Sequence, residues 1–77
     1  MEKYANLSGD SDILSYEIGE DYIDVVFSSR PNVIYRYSYS GSHKENVEKM
    51  KELAQAGKGL NSFINEYCRY SYSNKSI

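Results

Sequence analysis

The sequence predicts a small α+β domain in which a three-stranded antiparallel meander is followed by two helices packed on one face of the sheet. Three segments alternate apolar and polar residues with a period of two, which is typical of half-buried strands. Two later segments instead repeat apolar residues at spacings of three and four, as on one face of a helix. A chain of 77 residues is expected to form a single domain, 1–77.

The predicted strands cover residues 12–18, 22–29 and 33–39. A turn is predicted at Gly19 and another around Pro31, whose ring fixes φ and removes a ladder donor. Such short connections favour antiparallel neighbours. The face expected to be covered by the helices carries Leu14, Tyr16, Ile18, Ile23, Val25, Phe27, Val33, Tyr35 and Tyr37.

The opposite face of the predicted sheet mixes apolar and charged residues. Glu17, Asp24 and Arg36 fall on it in adjacent strands, so we expect a cross-strand ion cluster there. The apolar residues on this face are Ile13, Tyr22, Val26 and Ile34. An open face with that much apolar surface indicates a cover. The candidates are the tyrosines of segment 69–73, the N-terminal arm or a second chain.

The first predicted helix begins after Ser42, which with Glu45 forms a capping-box pattern. It ends before Gly57, a residue suited to the left-handed C-terminal position. Its core stripe is expected to be Val47, Met50, Leu53 and Ala54. The second predicted helix covers 60–67, and its apolar face is expected to consist of Leu60, Phe63, Ile64 and Tyr67.

The two ends of the chain are predicted to be less regular. Residues 1–11 are predicted to form a loose N-terminal arm. Its side chains Tyr4 and Leu7 are the ones able to pack against the sheet. Segment 69–73 has a strand-like composition and is a candidate for a short fourth strand or an extended segment, and residues 74–77 are expected to form a tail.

Charge is divided unevenly along the chain. Residues 1–24 carry seven acids and one base, whereas residues 30–77 carry eight bases and four acids. This asymmetry is explained either by an acidic hairpin that folds back on the basic part or by an anionic partner. The single cysteine, the absence of an apolar signal core and the absence of a membrane-length apolar run predict a cytoplasmic protein without a membrane partner.

A set of residues distributed over 8–73 forms a pattern that is typical of a known family. The pattern consists of Tyr16, Phe27, Tyr35-Arg36-Tyr37, Gly57-Lys58-Gly59-Leu60-Asn61, Ile64 and Tyr70. In these residues the chain resembles the KTSC domain, a small bacterial module also found at the C-terminus of some lysyl-tRNA synthetases. The chain departs from the family pattern at Ser40-Gly41-Ser42, Asn65 and Cys68. Because no reaction is established for that family, the resemblance implies a fold and a tRNA-related setting.

No catalytic, metal or cofactor site is expected. His43 and Cys68 are the lone histidine and cysteine, which is too few for a zinc site, and each has a structural explanation. The Gly57-Lys58-Gly59 segment could offer backbone N–H groups to a phosphate, but a turn that needs positive φ is the favoured interpretation. For Asn61 we expect a structural hydrogen bond in preference to a ligand contact.

Two binding functions are consistent with these features. The first is a non-catalytic RNA-binding accessory domain, which is indicated by the basic charge of residues 30–77. The resemblance to a module attached to a tRNA-handling enzyme implies tRNA as its partner. Its predicted residues are Lys51, Lys58, Arg69, Tyr70, Tyr72 and Lys75. The alternative is a protein-interaction module, most simply a homodimer. Its predicted interaction face is Tyr22, Val26, Ile34 and Arg36.

Overall fold

The computed structural model describes residues 1–76, which form a five-stranded antiparallel sheet and two helices. The strands lie in the sheet in the order in which they occur along the chain, and each pairs antiparallel with the next. The elements are β1 (Glu2–Lys3), β2 (Ile13–Ile18), β3 (Tyr22–Phe27), β4 (Arg30–Ser38), α1 (Lys44–Ala56), α2 (Leu60–Phe63) with a π-helical turn (Ile64–Cys68), and β5 (Asn74–Ser76). The predicted α+β class and three-stranded meander are confirmed, with one strand added at each edge.

The core lies between the sheet and the helices. Helix α1 contacts β3 and β4 on one face of the sheet, and the cross-strand row Tyr16, Val25 and Tyr35 lies on that face. Val47, Met50 and Ala54 of α1 are buried against it, and Leu53 is half-buried, so the predicted α1 stripe is confirmed. The buried cluster is Tyr4, Ile13, Tyr16, Ile23, Val25, Tyr35, Tyr37, Val47, Met50, Ala54, Leu60, Ile64 and Cys68.

An irregularity in β2 reverses the predicted orientation of its first residues. Ile13 pairs with Phe27 and Ser15 with Val26, so Leu14 is an extra residue, as in a β-bulge. Ile13 is consequently buried, whereas Leu14 is exposed. The prediction that Leu14 faces the helices and Ile13 faces outward was therefore wrong. Alternation gives the correct face again from Tyr16 onward.

Strand β4 begins three residues earlier than predicted. The reversal after β3 is the two-residue turn Ser28 and Ser29, and Arg30 already pairs with Phe27. The register shifts between this pair and Val25–Tyr35, so Pro31 lies where the ladder is interrupted and needs no N–H. Proline here marks an irregular strand in place of the predicted turn.

The first helix is held at both ends by contacts other than a capping box. His43 occupies the N-cap position without a side-chain hydrogen bond, so the prediction of Ser42 as N-cap was wrong. The Ser42 hydroxyl instead donates 2.9 Å to the carbonyl oxygen of Ser71. Gly57 ends the helix at φ 76°, in the left-handed region as predicted.

The second helix changes its pitch after one turn. A π-helical turn over Ile64–Cys68 has fewer degrees of rotation per residue than an α-helix. Leu60, Ile64 and Cys68 are buried, whereas Tyr67, which was predicted to share their face, is 60% exposed. The wider turn rotates Tyr67 off the buried face and leaves its ring beside Phe63, with 5.0 Å between centroids.

The N-terminal arm is attached more firmly than the sequence predicts. Glu2–Lys3 pairs with β2, and Tyr4 is buried with its hydroxyl accepting a 3.3 Å hydrogen bond from the Leu60 N–H. The Leu7 N–H donates 2.8 Å to the carbonyl oxygen of Gly57, although the Leu7 side chain is exposed. The arm therefore anchors the start of α2.

The C-terminal segment crosses the helix-covered side of the sheet and then joins its edge. Residues 69–73 form no strand, and Tyr72 packs on Tyr35 and Tyr37, so this segment does not cover the open face. Strand β5 comes from the predicted tail, of which Ile77 lies outside the described residues. Across 1–76 we find no helix with the length and apolar character needed to span a membrane.

Candidate functional site

A cleft of about 420 Å³ opens between the β3–β4 hairpin, α2 and the C-terminal segment. The sheet supplies one wall, α2 and its π-helical turn supply the opposite wall, and the C-terminal tyrosines close one side. Its lining residues are Asp12, Phe27, Ser29, Arg30, Tyr35, Tyr37, Asn61, Ile64, Asn65, Arg69, Tyr70 and Tyr72. Four tyrosines and two arginines among them make this the most chemically distinctive surface of the described chain.

The aromatic wall of the cleft is a set of rings packed edge to face. Tyr35 has Phe27 and Tyr72 on either side, with centroid distances of 5.3 and 5.0 Å and interplanar angles of 79° and 77°. Tyr72 also lies 6.3 Å from the Tyr37 ring at 90°. Edge-to-face contacts add to the burial energy of each ring, so this wall is expected to hold its shape.

Arg30 is positioned at the hairpin end of the cleft. Its Nη1 donates a 2.6 Å hydrogen bond to the Tyr35 hydroxyl, which raises the pKa of the guanidinium above its already high ordinary value. The neighbouring carboxylate of Asp12 accepts from the Ser29 N–H at 3.0 Å and from the Ser29 hydroxyl at 2.6 Å. The bonds of Asp12 tie the turn of the hairpin to the start of β2, and Arg30 remains exposed as a cation that a ligand can reach.

The helical wall presents Asn61, Asn65 and Arg69, each four residues after the last. In a regular α-helix residues at this spacing drift by about 40° per step, because 3.6 residues complete a turn. In a π-helix four residues fall short of a full turn, so the π-helical turn offsets this drift, and all three side chains line the cleft. Each of them directly follows a residue of the buried stripe.

The Tyr37 hydroxyl lies at the base of the cleft. The residue is 1% exposed and lines the cleft, and its hydroxyl makes no hydrogen bond to any residue that the structure describes. No fully buried side-chain polar atom of the described chain lacks a partner, so this hydroxyl must be the point where the ring reaches the cleft. Burial raises the pKa of the phenol, and the hydroxyl therefore stays protonated as both donor and acceptor.

The rim of the cleft combines an exposed ring with further cations. Tyr70 is 82% exposed, and the Arg69 guanidinium lies 5.8 Å from its centroid. Lys75, which pairs with Tyr35 across β5 and β4, places its Nζ 5.8 Å from the Tyr35 ring. Arg30, Arg69 and Lys75 therefore surround one group of tyrosines.

The structure brings together four of the six residues predicted to bind nucleic acid and separates two. Arg69, Tyr70 and Tyr72 line the cleft, and Lys75 lies beside its aromatic wall. Lys51 belongs elsewhere, since its Nζ contacts a Glu48 carboxylate oxygen at 2.8 Å and the Glu20 carbonyl oxygen at 3.0 Å. Lys58 is exposed at the turn between the helices and does not line the cleft.

The predicted interaction face is largely satisfied by its own side chains. Arg36 forms two hydrogen bonds to the Asp24 carboxylate, at 2.8 and 2.9 Å, and its guanidinium carbon lies 3.9 Å from the Tyr22 centroid. Val26 is 5% exposed and Ile34 is 37% exposed. The predicted pairing of Asp24 with Arg36 is thus observed. Glu17 lies opposite Asp24 in the strand register but forms no ion pair with a described side chain, so the predicted cluster is reduced to one pair.

The charge asymmetry is only partly cancelled within the fold. Of the ion pairs between described side chains, Asp24–Arg36 links the acidic third to the basic part, and the other two lie within α1. The cations around the cleft are not members of these pairs. Three of the cations outside these pairs, Arg30, Arg69 and Lys75, therefore lie where an anion can approach the cleft.

Two features of the site were beyond the sequence argument. Arg30 was assigned to a turn and Asn65 was noted only as a departure from a family pattern, and both line the cleft. The i, i+4, i+8 series of polar residues could have indicated Asn65. The expected structural hydrogen bond of Asn61 is not formed with any described residue, while Gly57 and Gly59 adopt φ 76° and 83°, as the turn interpretation requires.

Residues 1–76 contain no cluster of three histidine, cysteine, aspartate or glutamate side chains arranged to hold a metal ion. Comparison of the chain with protein-family models, with curated proteins and with solved structures finds no match in any of the three.

Proposed function

We propose that this protein is a non-catalytic domain that binds single-stranded RNA at the cleft. The observation that carries the proposal is the exposed ring of Tyr70 next to Arg69, at the rim of a cleft that also holds Arg30. Single strands are held by aromatic rings on which bases stack and by cations that follow the phosphates. Because the Tyr70 side chain is 82% exposed, it contributes little to the stability of the fold.

The charge distribution supports the same function. Net charge is −2, so binding of an anion requires a local positive surface. Arg30, Arg69 and Lys75 provide one around the tyrosines. The resemblance to the KTSC domain, which occurs attached to lysyl-tRNA synthetases, favours RNA, with tRNA as the proposed partner in a cytoplasmic setting.

The cleft is a better candidate than the open face of the sheet. The charged and aromatic groups of that face contact one another, and Val26 is buried without a partner chain. The cleft instead presents side chains whose polar groups have no partner among the described residues, including Asn61 and Asn65. A surface that leaves polar groups available is the one adapted to a polar ligand.

The expected affinity is modest and sensitive to salt. Three phosphate contacts imply a log–log salt slope of about −2 for a single strand. Such a domain binds weakly at physiological salt when alone and contributes more when it is tethered to a larger enzyme, because tethering raises the effective concentration. Weak binding alone and stronger binding when tethered are what an accessory RNA-binding domain requires.

The test is titration of labelled single-stranded RNA and of tRNA at low salt with two charge-matched variants. Arg69→Glu with Lys75→Glu reverses two cations of the cleft, and Lys44→Glu with Lys49→Glu reverses two cations of α1 that do not line it. We expect the parent and the α1 variant to bind, with slopes of about −2. The cleft variant should lose at least about tenfold in affinity, and its slope should fall below about 1 in magnitude.

Two results would contradict the proposal. The first is that the parent binds neither RNA at about 50 mM salt, where phosphate contacts are strong. Alternatively, both double variants could weaken binding equally, which would indicate a non-specific effect of net charge. Thermal unfolding of both variants serves as the control for folding, since all four replaced side chains are exposed.

A further inference from the structure

The base of the cleft holds neutral polar groups, in contrast to its rim. The Tyr37 side chain is 1% exposed, and its hydroxyl, which reaches the cleft, has no hydrogen-bond partner among the described residues. A hydroxyl that opens into a cleft without a protein partner is available to hydrogen-bond a ligand atom. It can donate to or accept from such an atom.

Asn61 and Asn65 add two amides that face the same space. Both line the cleft from the helical wall, one turn apart, and neither side chain forms a hydrogen bond to a described residue. Each amide offers two donors and a carbonyl acceptor. The cleft therefore combines a hydroxyl and two amides, which are uncharged groups that distinguish donors from acceptors.

Aromatic rings form the remaining wall. Phe27, Tyr35 and Tyr72 are arranged edge to face around the hydrogen-bonding groups. A volume of about 420 Å³ lies toward the lower end of ligand sites, which span roughly 300–1,000 Å³. A cleft of this volume suits one flat, uncharged ring that forms hydrogen bonds, and it is too small to hold a double-stranded nucleic acid.

The cations define where the charged part of the ligand must lie. Arg30 and Arg69 stand on opposite walls of the cleft and are both exposed, whereas Tyr37 is buried at its base. A ligand that matches this arrangement places a neutral aromatic group at the base of the cleft and an anionic group at its rim. A nucleotide with its base inserted and its phosphate at the rim has that form.

We propose that the cleft captures one unstacked base of the bound strand and that it selects adenine. The choice of adenine follows from the amides, because an asparagine side chain matches the N7 acceptor and N6 donor of adenine in a bidentate pair. The Tyr37 hydroxyl is free to form a hydrogen bond with a further ring nitrogen of the inserted adenine. The inference rests on the proposed RNA-binding function and adds base selectivity to it.

The test compares labelled oligouridine strands that carry a single adenosine, a single inosine or no purine. Inosine has the same stacking surface as adenosine but bears an O6 acceptor in place of the N6 donor. One good bidentate pair gives discrimination of about tenfold. We therefore expect the adenosine strand to bind about tenfold more tightly than the other two.

Three variants separate base capture from general binding. Tyr37→Phe removes the hydroxyl alone, Asn65→Ala removes an exposed amide, and Asn32→Ala removes an exposed amide outside the cleft. The first two should reduce the adenosine preference to about twofold or less, where the preference is the ratio of the affinities of one variant for the adenosine strand and for plain oligouridine. Asn32→Ala should keep the full preference.

The outcomes distinguish this inference from the function on which it rests. Equal binding of the three strands, or a preference that survives both Tyr37→Phe and Asn65→Ala, overturns base capture and leaves RNA binding in place. Binding of no strand at low salt overturns both. Because Asn65 is exposed, its variant tests the inference even if Tyr37→Phe affects the fold.

Discussion

The sequence Arg-Tyr-Ser-Tyr occurs twice in this chain, at residues 36–39 and at residues 69–72, and the two copies have opposite surroundings. In the first copy Arg36 is bound by the Asp24 carboxylate and lies on the Tyr22 ring. In the second copy Arg69 is exposed and lies near the exposed Tyr70. Arg36 therefore serves to hold the sheet together, whereas Arg69 is able to bind a ligand.

The first tyrosines of the two copies differ in the same way. The second residue of the first copy, Tyr37, is 1% exposed, whereas the second residue of the later copy, Tyr70, is 82% exposed. Strand β4 is an interior strand of the sheet and buries alternate side chains, while residues 69–73 form an irregular segment over the cleft. Location in the fold, and not the residue pattern, decides which copy has its arginine and its first tyrosine exposed to solvent.

The largest contrast should be in stability, between Tyr37→Ala and Tyr70→Ala. Removal of a fully buried aromatic ring typically costs about 3–5 kcal/mol, a large part of a small domain's stability. Tyr70→Ala should change the free energy of unfolding by less than about 0.5 kcal/mol, because that ring is in water already. Urea unfolding followed by circular dichroism measures both. Similar values for the two variants would mean that the two copies are not distinguished by burial.

A smaller contrast is expected between the arginines. Arg36→Ala leaves the Asp24 carboxylate, which is 8% exposed, without two charge-assisted hydrogen bonds. The cost of such an unpaired group is about 2 kcal/mol, kept moderate because Arg36 is 42% exposed and water can replace part of it. Arg69→Ala should stay within about 0.5 kcal/mol and should weaken RNA binding instead.

Asp24→Asn is the companion variant for this comparison. It keeps the shape of the side chain and one acceptor while removing its charge, so it should cost less than Arg36→Ala. If unfolding shows no loss for either variant, the pair between β3 and β4 does not contribute to stability. Arg36 would then contribute as little to the free energy of unfolding as Arg69 does.

The elements that the sequence predicts correctly are those specified by nearby residues. The alternation of β3 and the 3.6-residue periodicity of α1 depend on neighbours within a few positions. Leu14 and Tyr67 were misplaced because a bulge and a π-helical turn shift the periodicity by one residue, and such shifts are set by packing against other elements. Ser42 was misplaced because a distant serine, Ser71, binds its hydroxyl.

The candidate site could be predicted only in part for a related reason. Arg69, Tyr70 and Tyr72 are adjacent in sequence, so their combination of charge and aromatic rings is visible there. Arg30 and Asn65 are separated by half the chain, and only the packing of α2 against the β3–β4 hairpin brings them to one cleft. Convergence of this kind follows from the tertiary fold and leaves no local pattern.

The smallest contrast concerns alkaline pH and separates Tyr37 from Tyr70 by their hydroxyl groups. Burial raises the pKa of Tyr37 in the folded state, whereas in the unfolded chain a tyrosine ionises near pH 10. Below that pH both states hold the proton, and the contribution of Tyr37 to stability is fully present. As pH rises above about 10 the unfolded state ionises first, so stability falls by up to about 1.4 kcal/mol per pH unit for this group.

Tyr37→Phe removes this contribution, so its free energy of unfolding should decline less steeply than that of the parent between about pH 10 and 11, by about 1 kcal/mol at the upper end. Tyr70→Phe is the matched control, and its curve should follow the parent because the ring is exposed. Urea unfolding at a series of pH values gives the difference directly. Parallel curves for Tyr37→Phe and the parent would mean that the Tyr37 hydroxyl reaches water as freely as that of Tyr70, and the floor of the cleft would then be open.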